Sequence, residues 1–123
     1  DLLYYGTHSV MRNENKPVYL KLRDIIAAAI LDGDFSEGAM LPSVRAFAAQ
    51  QGANPLTVAK AYQLFQDDGM VQVKRGVGLF VARGAVAKLR KSEKQNFLKN
   101  VWPDVKAQMD RAGIRPSELL EDC

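Results

Sequence analysis

At 123 residues the chain has room for one domain with a modest core and an appendage. Its formal charge of +3 is unevenly spread: residues 41–92 carry eight basic and two acidic side chains, against four and six in residues 1–40 and five and six in residues 93–123. A lone Cys123 and a lone His8 exclude an intrachain disulfide and a cysteine- or histidine-rich metal site, and no apolar run approaches the ~18 residues of a membrane span.

Residues 1–15 read as an N-terminal extension. Residues 1–10 precede Met11 and lack a basic segment followed by an apolar core, so they do not form a signal peptide. They are either a foreign remnant ahead of a natural start at Met11 or a strand added to the fold. A first helix is predicted from about Pro17 to Leu31, with Val18, Leu22, Ile25, Ile26 and Ala29 as its core stripe and Ile30 close to it. Gly33 ends it, and residues 35–40 form a link to the second helix.

The stretch from Leu41 to Val81 is the most informative part of the chain. Its first short helix is expected to start at Leu41-Pro42-Ser43, with Pro42 in the first turn and Ser43 capping the free amides. Val44, Phe47 and Ala48 share its inner face, and Gly52 stops it. Asn54 then caps a second helix whose first position is Pro55. Val58, Ala61, Tyr62 and Phe65 form its buried stripe at i, i+3, i+4 and i+7. Leu56, Ala59, Lys60, Gln63 and Asp67 fall on the opposite side. A cation, an amide and small apolar groups on that face suit phosphates, adenine edges and thymine methyls. Two short helices joined by a glycine turn make a helix-turn-helix.

After Asp68-Gly69, β-type runs at residues 70–73 and 79–82 flank a tip made of Lys74, Arg75, Gly76, Val77 and Gly78. A basic, glycine-rich hairpin beside a helix-turn-helix is a wing. The positive charge of residues 41–92 therefore sits on the element that would meet a phosphate backbone.

From Gly84 the pattern turns helical again, over Ala85 to about Val101 and over Pro103 to Arg111, with Gly113 ending the second segment and a short turn or helix at residues 116–120. Pro103 must either start a new helix or kink a long one. Phe97, Val101, Val105 and Met109 recur every four residues, with Leu98 and Trp102 beside them. A tail of this length cannot bury such a stripe alone, so a second copy of the chain is the expected cover, in a two-fold dimer. The winged unit is expected at residues 16–83, folding by itself on Val18, Leu22, Ile26, Val44, Phe47, Val58, Tyr62 and Phe65. The dimerisation region would then occupy residues 84–123. The fold class is α+β, mainly α: three helices and a two-stranded wing, then a short helical tail.

These motifs resemble the GntR family of bacterial transcriptional regulators. The resemblance runs from Pro17-Val18-Tyr19 and Ile30-Leu31-Asp32-Gly33-Asp34-Phe35 through Gly38, Leu41-Pro42-Ser43-Val44-Arg45, Gly52 and Asn54-Pro55. It continues through Thr57-Val58, Ala61-Tyr62, Asp68-Gly69 and Arg75-Gly76-Val77-Gly78-Leu79-Phe80-Val81. It spans residues 16–83, and the Asn-Pro-x-Thr-Val helix start and short tail look like the YtrA-like subgroup. The resemblance implies a cytoplasmic regulator, most simply a repressor, that binds a double-stranded DNA operator as a homodimer. It also implies DNA contacts by Arg45, by Thr57 and by Gly76 with Arg75. Many members carry arginines where this chain has Pro55 and Ala59, so base reading at those two positions does not transfer. Lys60 and Gln63 replace them on helix geometry alone. Ser43, Asn54, Leu56 and Lys74 complete the expected DNA-facing set.

Plainer roles compete for several of these residues. Arg45 suits an intrachain ion pair, Lys60 and Gln63 a solvated helix face, and Lys74 and Arg75 the protection of a sheet edge. Trp102 and Met109 suit a small-molecule pocket as well as a dimer core. Asp67-Asp68 reads as a solvated helix end. A winged-helix protein-interaction module is the alternative function, against which the basic wing argues. No set of nucleophile, base and orienting group, and no phosphate-binding loop, is present, so the chain is not expected to be an enzyme. No cofactor, metal or membrane is implied, and no small-molecule effector is required.

Overall fold

The computed structural model describes residues 16–120; the expected extension at residues 1–15 and the terminal Cys123 lie outside the described residues. Helix α1 spans Val18–Leu31 and buries Leu22, Ile26, Ala27 and Ile30. Three of the residues expected in its stripe sit elsewhere: Val18 and Ile25 are 56% and 42% exposed, and Ala29 is half-buried. Arg23 lies on the side that turns inward, its side chain only 17% exposed. A charge at that position argues for turning the apolar stripe away from it, yet an arginine can bury its stem and keep its head in contact with polar or aromatic groups. The Arg23 guanidinium lies 5.6 Å from the centroid of the Phe65 ring and 3.2 Å from Asp24 Oδ1.

Helix α2, Val44–Gln51, is capped by the Ser43 hydroxyl, which accepts from the Ala46 N–H at 3.0 Å. Pro42 therefore stands one residue ahead of the cap and not in the first turn as expected. Its carbonyl accepts instead from the buried Tyr62 hydroxyl at 2.8 Å. Helix α3, Pro55–Asp67, starts where the sequence predicts, with Asn54 Oδ1 accepting from the Leu56 N–H at 2.8 Å. Its stripe of Val58, Ala61, Tyr62 and Phe65 is buried as expected, and α3 packs against both α1 and α2. The Phe47 and Tyr62 rings stack with centroids 6.1 Å apart.

Strands β1, Val71–Lys74, and β2, Gly78–Val81, pair antiparallel with Val71 opposite Val81 and Lys74 opposite Gly78. Both are displaced by one residue toward the tip from the expected 70–73 and 79–82. Lys74 and Gly78 thus close the ladder, and Arg75, Gly76 and Val77 alone form the loop. The supposed link before α2 is more ordered than expected. Met40 bridges Phe80, the Leu41 N–H donates to the Leu79 carbonyl at 2.9 Å, and the Val81 N–H donates to the Ala39 carbonyl at 2.9 Å. Residues 38–41 so lie along β2 as a third edge. Gly78 suits this place, because a Cβ there would stand 3.0 Å from Met40 Sδ.

Helix α4, Ala85–Asn96, opens against the same body. Ala85 and Leu89 are fully buried in the winged unit's core, so that unit runs on to Arg90, past the boundary expected at residue 83. Its self-contained core consequently needs Leu89 and omits Val18.

A second compact unit begins at Lys91. It holds the end of α4, a π turn at Phe97–Val101, helix α5 at Trp102–Ala112 and helix α6 at Pro116–Leu120. Pro103 decides the π turn. Proline has no N–H to give to the carbonyl four residues back, and a helix accommodates that loss by a local widening. Here the Trp102 N–H reaches back to the Phe97 carbonyl, five residues away. The backbone stays helical through the junction, with Pro103 in the first turn of α5 directly after the π turn.

Candidate nucleic-acid interface

The outer face of α3 is set by its start. Asn54 and Pro55 fix the first turn, and the buried stripe then points Leu56, Ala59, Lys60, Gln63 and Asp67 outward, all exposed. Lys60 does not wave in solvent: its Nζ sits 4.1 Å from the centroid of the Tyr19 ring on α1. Gln63 Nε2 donates to Asp67 Oδ1 at 2.9 Å, one turn along the helix. That bond gives Asp67 a partner and leaves Gln63 with its amide oxygen and one N–H. Thr57 is half-buried, and its backbone N–H donates to the Asn54 carbonyl at 2.9 Å.

On α2, Arg45 is exposed. The exposed Ser43 accepts an N–H in its cap and keeps its own O–H for an outside acceptor. At the wing, Lys74, Arg75, Gly76 and Val77 are all exposed. Lys74 Nζ lies 4.3 Å from the Phe80 ring centroid, a cation–π contact across the ladder. Gly76 takes φ +79° with open space where a Cβ would stand, so the tip needs glycine for its backbone and leaves that backbone approachable. Met40, Ser43, Val44, Val77 and Leu79 line one open cleft of about 270 Å³, which sets the start of α2 and the wing tip on two sides of the same hollow.

Sequence reasoning missed three contributors. Tyr19 and Phe80 are platforms for Lys60 and Lys74, and neither pairing has a signal in local spacing. Glu37 is the third. Its carboxylate accepts from the Val86 N–H at 3.0 Å, and the backbone hydrogen bonds of Gly84 and Val86 hold its pKa below the ordinary 4.5. A residue of the segment before α2 thereby caps α4.

In the second unit, Phe97, Leu98 and Val101 are exposed, and Trp102 and Val105 are half-buried. Met109 is 7% exposed and buried within its own chain, so it has little surface to offer a partner. Leu119 and Leu120 on α6 are exposed apolar residues outside the expected stripe. Among the described residues there is no group of three or more potential metal-binding side chains, and no helix is long and apolar enough to cross a membrane.

Residues 18–81 match the family model of bacterial regulatory proteins of the gntR family. The chain is 32% identical over 107 residues to the HTH-type transcriptional regulator YhcF of Bacillus subtilis, covering 87% of each protein. It is 30% identical over 105 residues to the HTH-type transcriptional repressor YtrA of the same organism, covering 85% of this chain and 80% of that one. Among solved structures, a transcriptional regulator from Oenococcus oeni superposes with a TM-score of 0.66 at 31% identity, over 87% of this chain and 88% of that one.

Proposed function

The chain belongs to the GntR family of bacterial regulatory proteins, and we propose that it represses transcription by binding a palindromic operator as a homodimer. It is a transcriptional regulator with a DNA-binding winged helix-turn-helix, and not an enzyme. The observation that carries the finer reading is the exposure of Arg45, Lys60, Gln63, Lys74 and Arg75 on the helix-turn-helix and its wing, within the span where eight of the chain's 17 basic residues lie.

On this reading α3 enters the major groove and the wing lies along the backbone toward the minor groove. Arg45, Lys60, Lys74 and Arg75 neutralise phosphates, with help from Ser43, Asn54 and Thr57, and the Gly76 backbone comes close because nothing projects from it. Gln63 reads adenine: its amide oxygen accepts from the N6 amino group and its remaining N–H donates to N7. In the second unit, the stripe of Phe97, Leu98, Val101, Trp102 and Val105 is covered by the same stripe of a second copy. A two-fold dimer presents two α3 helices to a two-fold symmetric site. Occupying such a site at a promoter excludes polymerase, and the repressor named YtrA among the relatives supports that sign. No effector is needed for it.

Charge removal tests the surface. Arg45→Ala, Lys60→Ala and Arg75→Ala should each weaken binding to a duplex enriched from random sequence. Each should also lower the slope of log affinity against log salt by about one for every phosphate no longer neutralised. Folding should hardly change, because all three are exposed. Wild-type affinity and slope in all three variants would reject the assigned face. Sedimentation of the full chain at micromolar concentration tests the assembly, where a monomer would reject the dimer.

A further inference from the structure

Leu56 is the most exposed of the large apolar side chains among the described residues, at 79%. It stands on the first turn of α3, the part of a recognition helix that reaches deepest into a major groove. Nothing in the fold uses it. Pro55 and Ala59, its neighbours on that turn and the next, are also exposed. Lys60, one turn further along the same helix, is the next charged residue on this face, so the apolar spot is confined to the start of α3.

The backbone there is closed as well. Pro55 has no N–H. The Leu56 N–H donates to Asn54 Oδ1, and the Thr57 and Val58 N–H groups donate to the Asn54 carbonyl at 2.9 and 3.1 Å. The leading turn of α3 therefore has no free amide to offer a phosphate or a base edge, and its two exposed side chains, Pro55 and Leu56, have neither donor nor acceptor. A surface of this kind recognises carbon. The major-groove edge of a base pair has one apolar feature, the C5-methyl group of thymine.

We propose that Leu56, with Ala59 beside it, is a thymine-methyl reader: specificity at the base pairs facing the first turn of α3 comes from apolar contact with C5-methyl groups and not from hydrogen bonds. This rests on the DNA-reading function proposed above and adds what that turn reads. It also predicts that 5-methylcytosine substitutes for thymine at the contacted position, because it presents the same methyl group, whereas uracil does not.

The test uses the full chain and a duplex enriched from a random-sequence library. Each thymine is replaced in turn by deoxyuridine, which removes one methyl and keeps every hydrogen bond. Wild type should lose about fourfold in affinity at one or two positions per half-site, the worth of one buried methyl-sized group. Leu56→Ala should bind the thymine duplex more weakly and show no loss on replacement by deoxyuridine. Its melting temperature should match wild type, since the side chain is exposed. Indifference of wild type to deoxyuridine at every position would overturn the proposal, as would an equal loss in Leu56→Ala. Either result, alongside sequence-selective, salt-dependent binding, leaves DNA reading standing and removes only the methyl reader. A chain that enriches no duplex and shows no salt-dependent binding overturns both.

Discussion

Tyr62 ties the two helices of the helix-turn-helix together. Its ring stacks on Phe47 of α2, and its hydroxyl donates to the Pro42 carbonyl at 2.8 Å, just ahead of the α2 cap. Burial pushes the hydroxyl pKa up to about 12 from an ordinary 10.0. The neutral form is the one the fold accepts, so this contribution is complete below pH 10 and is lost as pH rises from there through 12. Tyr62→Phe should cost about 0.5–1.5 kcal/mol at neutral pH, the net worth of one hydrogen bond. It should also flatten the loss of stability between pH 10 and 12, because no proton remains to be released. Urea unfolding at several pH values checks both; a variant as alkali-sensitive as wild type would assign that sensitivity to another group. Phe65 shows the same dependence on a distant partner, since its ring lies under the Arg23 guanidinium.

At the scale of elements, α2, α3 and α4 each begin at a side chain that accepts backbone N–H groups, but the side chain at α4 is not local. Ser43 and Asn54 cap α2 and α3 from their own sequence neighbourhood. Glu37 caps α4 from the segment before α2, and the amides of Gly84 and Val86 lower its pKa. A carboxylate whose folded pKa is depressed stabilises the fold above its ordinary value of 4.5 and ceases to do so as pH falls through the lowered value. Glu37→Gln should therefore destabilise the winged unit at pH 7, with the difference from wild type shrinking below pH 4.5 and vanishing in stronger acid. Acid unfolding followed by circular dichroism measures it. A gap that persists undiminished at low pH would show that the charge is not what matters at this cap. The π turn before α5 is the other element-scale device: one proline redirects five residues without breaking the helical backbone.

For the whole molecule, the position of Leu89 fixes where the winged unit can be separated. Its side chain is fully buried with Ala85 in the common core, so a chain ended after Gly84 leaves a hole where one ended after Arg90 does not. The longer piece should fold with ordinary cooperativity, and the shorter should lose roughly 2–5 kcal/mol, the usual cost of removing a buried leucine. Thermal melts of the two pieces decide it. The piece ended at Arg90 also tests the proposed assembly: it should bind a single half-site as the full chain does and a two-half-site duplex far more weakly, because linkage between the two readers is gone. Equal affinity of both chains for the two-half-site duplex would place self-association, or its purpose, elsewhere.

The sequence by itself determined α2, α3 and the wing. Each is written in short-range chemistry: Ser43 and Asn54 as caps, an uninterrupted apolar stripe on α3, and glycines at a basic tip. The disturbance at Pro103 was legible, but not its form as a π turn. What tertiary structure decided are the contacts between residues far apart in sequence. The true buried side of α1 includes Arg23 over the Phe65 ring, the edge formed by residues 38–41 depends on β2 lying beside it, and the unit's end at Arg90 depends on a core that has room for Leu89. Of the candidate surface, the outward side chains of α3 followed from helical period alone. The Tyr19 ring beneath Lys60 and the Phe80 ring beneath Lys74 did not, because periodicity orders residues along one element and says nothing about which elements meet.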